Sequence, residues 1–445
     1  MIGIIAIAAV FPFMNKIFKI TLLVIACSFS VSTVSHAQFW KKIFKKEEKK
    51  PVKKVSTTKS TTKKEEPRLK KKVEPEYPPS EKKKVYRIDV LLPLYLNTLV
   101  QNGKPVYKKT PDYAMGSINF YEGMSIAAQS LKNKGMKLEL YVHDITDPLE
   151  NIAKLTTNKK LDSADLIIGW LQSTDIPAVA SYAKKNKINF ISALSPADAG
   201  TTDNPYFILL QPTLETHINQ LIAFSNKKFS KNPKYILHTN NTSGEKEAYT
   251  QLKNALIEDK DLNIIDCSKF KLRTDTLVKI FDSTKVNVIY VSVLDITNTE
   301  QILNALAAMP RAYRFEIFGM PSWKSLRGLT QSSEYMSLSI YYTTPFFYDP
   351  TTGTGKYIGT EYNNTYGGAP SEMVYRGYES LYWMSNLLES HGIIFNKEIT
   401  DVSAAPFTRY DIKPSWSKEN DFQYLENNKL YILHYQNGGY VVEQQ

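Results

Sequence analysis

Tyr86-Arg87-Ile88-Asp89-Val90-Leu91-Leu92-Pro93-Leu94 reads as a strand of the buried type, a short apolar run with one charge inside it. Downstream, Phe120, Met124, Ala127, Ala128 and Leu131 recur at three- and four-residue steps, which predicts a helix over 117–134 that Gly135 ends. Residues 137–142 are strand-like again. Asp147-Pro148-Leu149-Glu150 then offers an N-cap, a proline at the first helical position and a carboxylate three residues after the cap. The alternation continues with strands at 165–168, 188–192, 206–210, 234–238, 262–265, 286–291 and 315–318. Helices fall between them at 174–185, 213–227, 245–259, 274–282 and 297–309. Strands separated by helices of about ten residues or more call for parallel sheets with right-handed crossovers. One sheet of so many strands would be large, and two sheets in two lobes is the simpler packing. The length of 445 residues agrees with that, since a typical unit holds ~100–200 residues.

Upstream of Val85 the composition changes. Residues 41–84 hold seventeen Lys and one Arg against seven Glu, a net +11 out of +12 for the whole chain. The basicity therefore belongs to a tail. A nucleic-acid reader carries its basic stripe on a folded domain, so no nucleic-acid partner is expected. Residues 38–84 have few apolar residues after Phe44 and too little to bury, which predicts a disordered Lys-rich linker. Its lysines suit contact with anionic lipid or wall polymers, and a solvated spacer is the equal alternative. Further upstream, Met14-Asn15-Lys16-Ile17-Phe18-Lys19, the apolar run Ile20 to Phe29, and Ser35-His36-Ala37-Gln38 give the parts of an export signal cleaved after Ala37. The thirteen residues before Met14 read as an upstream start. A rival reading takes Val24-Ile25-Ala26-Cys27 as a lipobox with Cys27 lipidated. Either way the expected address is the periplasm or cell envelope. Only Cys267 remains for the mature chain, so no internal disulfide is expected.

Beyond the linker the chain resembles a known family. Phe120-Tyr121-Glu122-Gly123-Met124, Tyr141-Val142-His143-Asp144, Ile167-Ile168-Gly169 with Ser173-Thr174, Ile191-Ser192-Ala193 and Phe315-Glu316-Ile317-Phe318-Gly319 occur in the family's order. Tyr366-Gly367-Gly368-Ala369-Pro370-Ser371, leading into Gly377-Tyr378-Glu379-Ser380, completes the set. This looks like the type 1 periplasmic binding proteins, in particular the branched-chain amino-acid (leucine/isoleucine/valine) binding group. The resemblance implies two Rossmann-like α/β lobes with parallel sheets joined by three hinge crossovers. Lobe one would take 85–212 and 342–400, and lobe two 213–341 and 401–445. A ligand would sit between the lobes at the carboxyl ends of the strands, trapped by hinge closure.

By the same resemblance the ligand carboxylate would meet Ser173 and Thr174 after the third strand and Ala193 to Ser195 after the fourth. Structural alternatives stand beside these: Ser173 as a plain N-cap and Ser195, before Pro196, as a turn residue. The ammonium of an amino acid would need a Tyr and a carboxylate from Val291–Asp295 and Gly319–Trp323, and neither falls where the match requires. Asp295 is one step late and equally suits a helix cap. A buried ammonium without a partner is costly, so an α-amino acid is not the expected ligand. Tyr95 and Trp323 are candidate cleft walls, with core packing as the alternative. The aromatic run Tyr341–Tyr348 lies where the chain returns between lobes and would suit stacking on a cyclic ligand.

Catalytic signals are missing. The six His are scattered, and there is neither a His-Glu-x-x-His run nor a Gly-x-Ser-x-Gly elbow. Gly353-Thr354-Gly355-Lys356 lacks the first glycine of a phosphate loop and has Tyr357 where Ser or Thr should stand, so it reads as a surface turn. Cys267 reads as a core residue. No cofactor or metal is expected, and the chain is not expected to be an enzyme. Two functions remain. One is a solute-binding receptor of the ABC-uptake type, delivering a small polar ligand to a membrane permease. The other is an envelope scaffold or regulator that uses the same fold to bind a protein or peptidoglycan partner, as in outer-membrane activators of peptidoglycan synthases.

Overall fold

The structure, a computed structural model, describes residues 70–443 except 270–271, 330–333, 352 and 400–404. The export signal read at 1–37 and the linker up to 69 lie outside the described residues. In chain order the first half runs β1 (Tyr86–Leu92), α1 (Leu96–Leu99), the hairpin β2 (Val100–Gln101) and β3 (Lys104–Pro105), α2 (Asp112–Asn133), β4 (Leu138–Asp144), α3 (Ile152–Thr157), β5 (Leu166–Gly169), α4 (Ile176–Asn186), β6 (Asn189–Ser192) and β7 (Phe207–Leu209). It continues with α5 (Leu214–Phe229), β8 (Lys234–His238), α6 (Ser243–Ala255), β9 (Leu262–Asp266), α7 (Thr274–Leu277), β10 (Val286–Val291), α8 (Ile296–Ala307), β11 (Arg314–Phe318) and β12 (Ser339–Thr344). Two short 3-10 turns at Pro321–Ser325 and Arg327–Leu329 separate the last two strands. The end of the chain supplies α9 (Gly353–Tyr366), α10 (Glu372–His391) and four strands, β13 (Ile412–Trp416), β14 (Phe422–Asn427), β15 (Tyr431–Gln436) and β16 (Gly439–Glu443).

These strands form two seven-stranded sheets, ordered β13-β14-β7-β6-β5-β1-β4 and β16-β15-β12-β11-β10-β8-β9. In the first only β13 runs antiparallel to its neighbour. In the second, β15 pairs antiparallel with both β12 and β16, and the rest is parallel. The chain passes between the sheets after β7, after β12 and after β14, so there are two α/β lobes and three crossovers. The expected lobe limits need two corrections. Residues 401–445 do not all join lobe two, because β13 and β14 complete the lobe-one sheet. The second crossover starts after Thr344, since β12 belongs to lobe two.

Parallel sheets are covered on both faces, and β1 displays this by alternation. Ile88, Val90 and Leu92 enter the cluster shared with α2 and α10, while Leu91 enters the cluster on the opposite face with α3 and α4. Helices α2 and α10 cross with their backbones in contact. A Cβ on Gly123 would lie 1.9 Å from the Val374 carbonyl oxygen, and one on Gly377 would lie 1.9 Å from that of Phe120. Both glycines belong to the segments that carry the family resemblance, and what they secure is this crossing.

Three further local expectations are corrected. Asp147-Pro148-Leu149-Glu150 is a turn in which Asp147 accepts from the Leu149 amide (2.7 Å). The helix starts later, capped by Asn151, which accepts from the Lys154 amide at 3.0 Å. Residues 353–356 are the first turn of α9 instead of a surface turn, and Gly355 is needed there because a Cβ would strike the Asp349 carbonyl at 1.9 Å.

The third correction is at the linker. Its last part, residues 70–84, lies along lobe one as a strap. Lys70 pairs with Asp421 (2.9 Å), and its carbonyl accepts from Asn420 (2.8 Å). Tyr77 meets Tyr206 edge-on, with centroids 6.2 Å apart. Ser80 Oγ donates to the His391 carbonyl (2.6 Å) and accepts from the Ile394 amide (3.0 Å), and the Glu81 carbonyl accepts from Ile393 (2.9 Å). Carbonyls at the end of a helix lack intrahelical partners, so the strap completes the C-terminus of α10. Lys83 then pairs with Asp165 at 2.6 Å. Composition alone predicted disorder here because the contacts are mostly backbone and hydroxyl bonds and not a run of apolar side chains.

Candidate functional site

The carboxyl ends of both sets of parallel strands hold the loops that a ligand between the lobes would meet. After β1, Tyr95 adopts a left-handed backbone (φ 58°). The Asp144 carboxylate at the end of β4 accepts from the amides of Leu94 (3.0 Å), Tyr95 (3.2 Å) and Leu96 (2.7 Å). That cage fixes the loop and leaves the Tyr95 ring half-buried, edge-on to Tyr113 at 4.9 Å. After β5, Ser173 is half-buried and Thr174 exposed. Neither is the cap of α4, a position that Asp175 takes. After β6, Ala193 is buried and faces a small cavity at the crossovers. Ser195 is 1% exposed and its hydroxyl accepts from the Ala197 amide (3.4 Å), so it is the turn residue of the two readings.

Lobe two corrects two of the expected site residues. Trp323 is fully buried and donates its indole N–H to the Val293 carbonyl (3.3 Å), so it is core and not a cleft wall. Asp295 accepts from the Asn298 amide (3.0 Å) and caps α8. Most of the aromatic run is also consumed internally, with Phe347 left exposed. Tyr341 stacks on Phe318 and His434, and Tyr348 on Tyr375 with centroids 4.2 Å apart.

What joins the lobes is a charged group that sequence reasoning missed. Lys324, in the turn after β11, pairs with Glu372 in the first turn of α10. Glu372 also accepts from Arg376 one turn on (Nε–Oε1, 2.8 Å). Arg376 reaches on to Gln211 at the first crossover (3.2 Å) and lies over the Phe346 ring, 4.7 Å from its centroid. The Arg376 side chain is 13% exposed, Glu372 23% and Lys324 39%. Burial alone would raise the Glu372 carboxyl, but the charges of Arg376 and Lys324 outweigh it and hold the group below its ordinary value. Burial pushes the Lys324 ammonium down, aided by Arg376 and opposed by Glu372. Beside Arg376 lies a small, partly open cavity of about 10 Å³, lined among others by Ala193, Gln211, Phe346, Ser380 and Tyr410. It has room for about one water. The i,i+4 spacing of Glu372 and Arg376 is legible in the sequence as a helix ion pair. Nothing in it places Lys324 against them.

Two buried carboxylates brace this region, Glu426 across the lobes and Glu379 within lobe one. Glu426, at the end of β14, accepts from the Thr213 amide (2.8 Å) and hydroxyl (2.9 Å) and from the Thr216 hydroxyl (2.7 Å), which ties lobe one to the N-terminus of α5. Glu379 in α10 accepts from the amides of Phe407 (3.0 Å) and Thr408 (2.7 Å) and from the Tyr410 hydroxyl (2.9 Å). Burial raises both carboxyls, and the hydrogen bonds oppose it. Among the described residues no cluster of three or more His, Cys, Asp or Glu suits a metal ion, and no helix is long and apolar enough to cross a membrane.

Two mostly parallel α/β sheets joined by three crossovers define the class, a two-lobed α/β protein. The chain belongs to the periplasmic binding protein family, whose profile matches residues 106–405. Among solved structures it is similar to one described as a branched-chain amino acid ABC transporter from Rhodospirillum rubrum, with 13% identity, a TM-score of 0.58, and coverage of 81% of this chain and 100% of the other. A branched-chain amino acid ABC-type transporter from Rhodopseudomonas palustris matches at 16% identity and TM-score 0.52, covering 80% of this chain and 95% of that one. Full-length LpoA from Haemophilus influenzae matches at 14% identity and TM-score 0.52, covering 82% of this chain and 60% of LpoA. At these identities the likeness is one of fold. No curated protein sequence matches the chain.

Proposed function

We propose that the protein is an exported solute-binding receptor of the periplasm or cell envelope. It takes a small polar ligand between its lobes, without catalysis, and presents the closed form to a membrane permease. The observation that carries this reading is the arrangement of the two sheets. Three crossovers connect them, and a side-chain bridge, Lys324 to Glu372, spans the gap at their carboxyl ends. Such a bridge can open and re-form as the lobes swing. Tyr95, Ser173, Thr174 and the backbone at Ala193 would form the lobe-one side of the ligand's surroundings. An α-amino acid suits the gap poorly, because Asp295 is already committed to capping α8.

The test is native mass spectrometry of freshly purified protein, followed by melting curves against a mixed panel of small carboxylates, sugars and amines. A ligand that binds the native state raises Tm with its concentration. A stoichiometric small molecule, or a solute that raises Tm, is the expected outcome. One observation favours a second reading, an envelope scaffold for a protein or peptidoglycan partner. Ser195, Asp295 and Trp323 are all spent on structure, and the gap is bridged by the protein's own side chains. Co-purification of wall fragments or an envelope protein, with no solute effect, would replace the receptor with the scaffold.

A further inference from the structure

We infer that the gap between the lobes carries an anion seat made by Lys324 and Arg376, that the Glu372 carboxylate fills this seat at rest, and that the ligand is a small carboxylate that displaces Glu372. The inference rests on the receptor reading and adds the ligand's chemical class.

Glu372 divides its two oxygens between cations of different lobes, Oε1 to Arg376 (2.8 Å) and Oε2 to Lys324. Two positive groups thus share one negative group, and the Glu379 carboxylate, one turn past Arg376 on α10, is taken by Phe407, Thr408 and Tyr410. Arg376 does not depend on Glu372 for its position. Gln211 holds the guanidinium from the other side at 3.2 Å, and Phe346 lies beneath it. When Glu372 leaves, a preorganised cation remains. The same spot lies at the N-terminus of a 20-residue helix whose N-cap, Ser371, makes no side-chain cap. Its hydroxyl accepts from Asn119 instead (2.8 Å). The first amides of α10 therefore add to the positive field.

Exchange of one carboxylate for another conserves the charge pairing, so it avoids the penalty of leaving buried cations unpaired. A neutral ligand cannot make that exchange. A cationic one would meet Lys324 and Arg376 as like charges. Glu372 stands in the first turn of its helix at 23% exposure, where it can rotate to water once released.

The experiment is calorimetric titration of acetate, succinate, benzoate and citrate, each against its primary amide, into wild type, Glu372→Gln and Lys324→Met. Glucose and choline complete the panel, and small-angle scattering is recorded for each ligand-free protein. At least one carboxylate is expected to bind wild type, with its amide inactive. Glu372→Gln is expected to bind that carboxylate about tenfold tighter, because the internal competitor no longer occupies the seat. Lys324→Met is expected to bind it at least about tenfold more weakly, and ligand-free Glu372→Gln to have a larger radius of gyration than wild type. Equal affinity of wild type and Glu372→Gln overturns the inference. Binding of glucose, choline or an amide while the carboxylates fail overturns the anion seat and leaves the receptor standing. Silence of the whole panel on all three proteins, with an unchanged radius of gyration in Glu372→Gln, removes the seat and the receptor together.

Discussion

Each lobe uses a buried carboxylate to hold the loops at the carboxyl ends of its strands: Asp144 in lobe one, and in lobe two Glu245, which accepts from the amides of Asn241 (3.0 Å) and Leu294 (3.2 Å). The lobes part company in what surrounds that device. Lobe one has two apolar clusters, one on each side of its sheet, a helix pair packed backbone to backbone, and the strap of residues 70–84 tied across it. Among the described residues lobe two has one aromatic-rich cluster, and the strap's hydrogen bonds and ion pairs go to lobe one. The difference teaches which body is the reference. The strap at 70–84 braces lobe one, and we propose that lobe two is the body that would swing against it.

The sharpest way to break this comparison is to disturb one glycine in each lobe. Gly123→Ala puts a Cβ 1.9 Å from a backbone oxygen, and no side-chain rotation relieves it, so α2 and α10 must move apart. We expect a loss of about 3–5 kcal/mol in urea unfolding, or no soluble protein. Gly319→Ala in lobe two meets the Trp323 ring at 2.1 Å instead. A ring can shift where a carbonyl cannot, so the expected cost is about 1–3 kcal/mol. If Gly319→Ala proves the more damaging, the stiffer crossing is not in lobe one.

Next in size is a pH effect confined to lobe one. Glu122 on α2 is buried and bonded by the Tyr362 hydroxyl (2.9 Å), and burial lifts its carboxyl from 4.5 to about 7. A folded-state value above the unfolded one means the native state binds the extra proton. Stability is therefore full at acid pH, falls as pH rises from about 4.5 to about 7, and is flat above that. The total is on the order of 3 kcal/mol. Glu122→Gln keeps an acceptor for Tyr362 and has no charge to bury, so the difference between the two stability–pH curves should open across that window. Parallel curves would mean that Glu122 is hydrated in solution.

Removing residues 70–84 is the direct test of the reference body. The lost contacts are one exposed ion pair, one to the buried Asp165, and a few hydrogen bonds, together about 2 kcal/mol. Amide exchange should quicken at 391–396 and 412–427, where the strap's partners lie, and stay unchanged at 431–443 in lobe two. Uniform acceleration across both lobes would show that the strap stabilises the pair and not lobe one alone.

The parallel core was legible because buried strands announce themselves: 234–238 and 286–291 were predicted with the bounds the structure has. The last four strands were not. Phe422–Asn427 ends in Glu426 and Asn427, which are 5% and 0% exposed, and buried polar residues break the apolar pattern a strand reading needs. They are polar because they hold the crossovers. The site was hidden for a similar reason. Lys324 and Glu372 stand 48 positions apart, and an isolated charge reads as a solvated one until the fold brings its partner. The conspicuous candidates, Trp323 and Ser195, were visible as residue types, and the structure spends both on packing and turns.

The smallest effect expected is none at all, and it bears on lobe two. Cys267 follows the edge strand β9 and packs against the lobe-two cluster. Burial, reinforced by the neighbouring Asp266 carboxylate, pushes its thiol up to about 12. The thiolate is the reactive form, so at pH 8 only about one molecule in ten thousand carries it. Ellman's reagent should label the native protein over hours and the urea-unfolded protein at once. Because reaction then waits on local opening, the labelling rate becomes a gauge of how firmly β9 is seated. If lobe two swings as a rigid body, a bound ligand will leave that rate alone while it changes the radius of gyration. A ligand that slows both would mean that lobe two tightens internally as the lobes close.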